Sequence, residues 1–129
     1  MLKLIITASD ELYETLSAKT RTEGLVPRRA HDVLQGFELA MRLGKSRADH
    51  GSGDTELADK LSSIVVDMSL HAADTLIETL YSRPVTSGIP LVAVKCDGQA
   101  IPLALRRLCA DILKMDGSAP LKEQTMDRL

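Results

Sequence analysis

The sequence predicts a mainly α chain that opens on one short strand and continues as two groups of helices joined by a polar linker. Three observations carry this. Residues 2–7, LKLIIT, are an apolar run with β-branched members. Within 9–43 and 55–82, apolar residues recur at intervals of three and four. Between them, residues 45–54, KSRADHGSGD, are polar and hold two glycines.

Strand side chains alternate, so Leu2, Leu4 and Ile6 share one face and Lys3, Ile5 and Thr7 the other. Ser9 then offers a helix N-cap, with Asp10 and Glu11 in the first turn, where the helix dipole favours acids. Leu12, Tyr13 and Leu16 line a first helix that ends at Gly24. Pro27 suits the first position of a second helix, about 27–43, whose stripe includes Ala30, Val33, Leu34, Phe37, Ala40 and Met41. Gly44 closes it. Asp54 or Thr55 caps a third helix, about 55–82, with a stripe through Leu57, Leu61, Ile64, Val65, Met68, Leu76 and Ile77. Its length is unusual for a globular helix and typical of an oligomerisation bundle. LVAVKC at 91–96 reads as a second strand, and Asp97-Gly98 as a turn. A fourth helix, about 102–115, carries Leu105, Leu108, Cys109, Ile112 and Leu113 on one face, and the tail from Gly117 reads as loose. The predicted units are a module at 1–44, a linker at 45–54, a helical oligomerisation and partner domain at 55–116, and a tail at 117–129.

Composition bounds the function. A chain of 129 residues suits one domain or two very small ones. Hydrophobic residues make up 44%, enough for a core, and with no Trp, one Phe and two Tyr that core is aliphatic. The formal charge of −2 lacks the basic excess expected of a monomeric nucleic-acid binder, so DNA binding would need a local cluster repeated by symmetry. Cys96 and Cys109 are too few for a disulfide scaffold and lack zinc spacing. Charge begins at Lys3, which argues against a signal peptide, and no run of about eighteen apolar residues exists to span a membrane. A reducing cytoplasm is the expected compartment.

A lone N-terminal strand cannot satisfy its own backbone groups. Pairing with a second copy across a two-fold axis solves this and gives an antiparallel ribbon backed by helices, the ribbon-helix-helix arrangement. Such a ribbon enters the DNA major groove. Lys3, Ile5 and Thr7 would then face the bases: Lys3 donating to guanine, Thr7 donating or accepting, Ile5 offering apolar contact. Arg28 and Arg29 at the start of the second helix, and Lys19 and Arg21 late in the first, would meet phosphates. Ile5 has a second reading, burial beneath another element, which would remove the ribbon from DNA. The oligomer interface would run through Leu61, Ile64, Val65, Met68, Leu76 and Ile77.

KLIITASDELYETL at the N-terminus, Glu23-Gly24, FELAMRLG at 37–44 and KLSSIVVDMSLHAADTLIETL, in that order and spacing, resemble the TraM family, the relaxosome DNA-binding proteins of F-like conjugative plasmids. The resemblance implies a ribbon-helix-helix dimer on sites near a plasmid transfer origin. It also implies C-terminal helices that form a tetramer and meet a conjugative coupling protein.

Chemistry finds less support. His31, His50 and His71 have no metal-ligand spacing. Asp67 and Asp74 would share a face of the third helix, as would Asp74 and Glu78, but acid–base work would need a pocket around them. No phosphate loop, nucleophile elbow or dinucleotide fingerprint is present. The expectation is therefore a DNA-binding oligomer, not an enzyme, with no cofactor, metal, membrane or small-molecule substrate. A helical protein-binding adaptor without DNA binding, and an autoregulatory repressor, are the alternatives.

Overall fold

The computed structural model describes residues 1–49, 61–96, 100–115 and 120–122. Strands and helices alternate along the chain: β1 (Leu2–Ile6), α1 (Asp10–Thr22), β2 (Val26–Ala30), α2 (Val33–Asp49), β3 (Leu61–Asp67), α3 (Ala73–Ser82), β4 (Leu91–Cys96), α4 (Leu103–Arg106), β5 (Asp111–Met115) and β6 (Pro120–Lys122). The strands form one sheet in the order β2-β1-β3-β4-β5-β6. β1 to β5 are parallel, and β6 returns antiparallel beside β5. This is a doubly wound α/β sheet, because crossovers that return the chain to the same end make neighbouring strands parallel.

Both faces of the sheet are covered. Leu4 and Ile6 of β1, Ile64 and Val66 of β3, and Leu91 and Ala93 of β4 pack with Leu39 and Ala40 of α2 and Leu76, Ile77 and Leu80 of α3. On the opposite face, Ile5, Val65, Val94 and Leu113 meet Leu12 and Leu16 of α1. Strands buried on both faces need apolar residues at successive positions, which is why LKLII, SSIVV and LVAV read as runs rather than alternations. Gly36 lets α2 lie close on the sheet: a methyl group there would sit 2.6 Å from Ile6 Cδ1.

Several local expectations hold. β1, α1 and β4 lie where the sequence places them. Ser9 caps α1, its side chain accepting from the Leu12 amide at 3.2 Å. Gly24 has φ +80°, the left-handed conformation that ends the helix.

The larger expectations are overturned. The chain is not mainly α with a ribbon-helix-helix module. β1 pairs with β2 and β3 inside one chain, so its backbone needs no second copy. Residues 26–30 are a strand, not the start of a helix. Pro27 is tolerated there because β2 is a sheet edge, where one missing amide leaves no gap in the ladder. α2 begins at Val33, and Asp32 caps it by accepting from the Gln35 amide at 2.7 Å. From Leu61 onward, the predicted 55–82 helix is β3, a loop and α3. Its supposed interface residues lie in the core of one chain, with Leu61, Ile64, Val65, Leu76 and Ile77 all at most 3% exposed and Met68 packed against them. The predicted fourth helix shrinks to one turn, α4, and Ile112 and Leu113 belong to β5. The two predicted modules share one sheet, and α2 continues through part of the predicted linker to Asp49. The rest of that linker, Leu57, the Asp97-Gly98 turn and most of the predicted tail lie outside the described residues. No described helix is long and apolar enough to cross a membrane.

Candidate switch-point site

In a sheet of this order the chain runs opposite ways from β1 and β3, and the carboxyl ends of these two strands open a crevice where such folds place ligands or reactive groups. Thr7 follows β1 here, and Asp67 ends β3. Sixty positions apart in sequence, they meet across the switch point.

Both oxygens of Asp67 are engaged. Oδ2 accepts from Thr7 Oγ1 at 2.7 Å. Oδ1 accepts from the Ser69 amide at 2.9 Å and from Ser69 Oγ at 2.7 Å. The Asp67 carbonyl accepts from the Leu70 amide at 3.1 Å, and the Met68 amide donates to the Val94 carbonyl at 2.9 Å, so the turn after β3 is tied to β4. Thr7 is equally saturated. Its hydroxyl accepts from the Ser9 amide at 3.0 Å, and its amide donates to the Ala30 carbonyl at 2.9 Å. Its carbonyl accepts from Arg29 Nε and Nη2, each at 3.3 Å. Thr7 is 0% and Asp67 3% exposed. A buried carboxyl group with three donors is held rigidly, and leaving it or the Thr7 hydroxyl unpaired in the interior is costly.

Arg29 extends the network. Nη1 donates to Asp10 Oδ1 at 2.7 Å, and the guanidinium stacks 5.1 Å from the Tyr13 ring centroid. It thereby joins β2, the β1 loop and α1. Farther along the carboxyl edge, Lys95 of β4 and Lys114 of β5 are register partners, both half-buried.

The residues proposed as DNA readers do not form a surface. Ile5 is 0% exposed under α1, and Thr7 is committed to Asp67. Lys3 Nζ lies 2.8 Å from Glu23 Oε1. Lys19 and Arg21 are exposed on α1, Arg28 is exposed on the edge strand, and Arg29 is bound as described. Asp67 and Asp74 do not share a helix face; the first ends a strand and the second opens α3. Cys109 is half-buried, and burial pushes its thiol pKa up. The Cys96 side chain lies outside the described residues.

No protein-family model matches the chain, and neither does any curated protein sequence. Its fold is shared with solved structures of response regulators. A signal receiver domain of a DNA-binding response regulator from Colwellia psychrerythraea 34H superposes with a TM-score of 0.65 at 12% identity, over 99% of this chain and 93% of that one. A CheY-like receiver domain protein from Methanospirillum hungatei JF-1 gives 0.64 at 12% identity, over 98% and 88%. A response regulator from Burkholderia pseudomallei, solved with a phosphorylated aspartic acid, a calcium ion and citrate, gives 0.60 at 18% identity, over 97% and 63%. These likenesses establish the doubly wound fold and overturn the TraM reading, with its ribbon, its transfer-origin DNA and its coupling-protein partner.

The donor set around Asp67 does not fit a divalent cation of the kind seen in the Burkholderia protein. Calcium takes six to eight oxygen ligands, carboxylates prominent among them. Here both Asp67 oxygens face hydroxyl and amide hydrogens, and Thr7 and Ala8 bring no carboxylate to the end of β1. Among the described residues no group of three His, Cys, Asp or Glu side chains could hold a metal.

One sequence signal points to this site. Of three apolar runs, LKLIIT and SSIVVD end on a polar residue and LVAVKC carries Lys95 one position before its end, and helical segments alternate with them. That is the pattern of buried parallel strands delivering side chains to one edge.

Proposed function

We propose that the chain is a receiver-like signalling domain that acts through contact with a protein partner, with Asp67 serving as a fixed brace at the switch point rather than as a metal-dependent phosphoryl acceptor. The observation that carries this reading is the engagement of both Asp67 oxygens by Thr7 and Ser69. The shared fold with receiver domains supports the signalling role. Phosphoryl transfer to a carboxylate gathers negative charge that metal ions ordinarily neutralise. Thr7 and Ala8 at the end of β1 bring no carboxylate to help hold one, and both Asp67 oxygens already accept hydrogen bonds. On this reading the domain turns over no substrate, and its two cysteines suit a reducing cytoplasm.

The test is incubation with acetyl phosphate and Mg²⁺, followed by intact mass measurement at neutral pH. The expected result is an unmodified chain. A phosphoryl adduct that disappears in Asp67→Asn overturns the proposal and makes Asp67 an acceptor.

A further inference from the structure

We propose that the groove between α2 and α3 docks an amphipathic helix with basic flanks, supplied by a partner protein. This rests on the reading of the chain as a protein-contacting domain, but not on the chemistry of Asp67.

The groove has a volume of about 510 Å³. Its floor is apolar, built from Val33, Leu34 and Phe37 of α2 and from Ala72 and Leu76 beside and within α3. Leu34 is 70% exposed, more than any other large hydrophobic side chain among the described residues. It stands one helical turn before Phe37, so the two form a ridge facing α3. A lone exposed leucine is ordinary; a leucine that continues a groove lined by Phe and Val marks a contact surface.

Charge selects the occupant. Asp32 lies in the groove wall. Glu38 follows Leu34 by four residues on α2, and Glu78 follows Thr75 of the wall by three on α3, which puts both along the rims. Asp74 is exposed one turn before Glu78. Among the described residues none of these four acids forms an ion pair. Of the nearby cations, Arg83 is stacked 5.5 Å from the Phe37 ring centroid, and Arg42 lies a turn beyond Glu38. His71 sits in the wall itself. Two rims of carboxylates without ion-pair partners among the described residues, beside an apolar floor, complement a helix with an apolar stripe and Lys or Arg on either side.

A second copy of the chain fits less well. Leu12 and Leu16 of α1 are already spent on the core. Leu103 of α4 is exposed next to Arg106 and Arg107, but α4 is a single turn.

The experiment uses two short helical peptides with the same leucine stripe, one with lysine flanks and one with glutamate flanks, titrated against the full chain by fluorescence anisotropy. The lysine peptide is expected to bind at least about tenfold more tightly, a difference of about 1.4 kcal/mol, and to weaken as salt rises. Leu34→Glu, and separately the double variant Glu38→Lys with Glu78→Lys, should each weaken it about tenfold while circular dichroism stays unchanged. Equal binding of both peptides, no binding of either, or indifference to Leu34→Glu overturns the proposal. So does a concentration-dependent dimer that Leu34→Glu abolishes, which would assign the groove to a second copy. Each of these results leaves the phosphorylation test on Asp67 untouched, so the two readings fail separately.

Discussion

The switch point and the α2–α3 groove lie in one small fold and differ in almost every physical respect. At the switch point, every polar group of Asp67 and Thr7 named above has a partner, and both residues are buried. In the groove, an apolar floor reaches the surface at Leu34, and the acids around it have no ion-pair partner among the described residues. The difference separates what a fold uses to hold its own loops from what it leaves for another molecule. A reactive residue type at a familiar topological position is not by itself an available site; its hydrogen bonds decide that.

Four measurements bear on this contrast, the largest effect first. Asp67→Ala removes the acceptor of the buried Thr7 hydroxyl and of two donors on exposed Ser69, and should cost about 3 kcal/mol in urea unfolding. A cost no greater than that of a surface substitution would mean that Asp67 braces nothing. Gly36→Val drives a side chain into Ile6 and should cost about 2 kcal/mol by the same measurement. Thr7→Val keeps the shape but leaves Asp67 one donor short, for about 1–2 kcal/mol, whereas Thr7→Ser retains the hydroxyl and should recover most of it. Leu34→Glu should stay within about 0.5 kcal/mol of the parent, because the side chain is already in water. A large loss there would turn the groove into part of the core. Cys109 sharpens the picture on a separate axis. With its thiol pKa raised by burial, it should alkylate more slowly than a free cysteine at neutral pH, and gain reactivity only at a more alkaline pH, as read by peptide mapping.

Some of the fold was legible residue by residue. Ser9, the acids after it and Gly24 mark both ends of α1, because caps act through neighbours within one turn. LKLIIT and LVAVKC read as strands from their composition. β2 was hidden by Pro27, which suits a helix start as well as it suits an edge strand, and only the ladder to β1 distinguishes the two. β3 was hidden by accident of spacing: Leu61, Ile64, Val65 and Met68 match a helical period, while the β-branched pair Val65-Val66 favours a strand. Placing Asp67 on a helix beside Asp74 followed from that one period, and the candidate site was lost with it. By sequence Ile5 suits a groove-facing and a buried position equally; α1 lying over it decides for burial.

The sequence alone determined the local ends of α1, the strand character of β1 and β4, the aliphatic nature of the core and the lack of any helix-length apolar span. Each depends on interactions within a few residues or on composition. Tertiary structure decided whether SSIVVD is strand or helix, that β1 lies inside the sheet rather than in a ribbon with a second copy, and that Thr7 meets Asp67. A short apolar run is compatible with either conformation. A strand becomes the stable choice only when partners distant in the chain accept its hydrogen bonds and cover both of its faces. For β3 those partners are β1 and β4, and the pairing that buries Val65 also brings the Asp67 carboxyl group to the Thr7 hydroxyl.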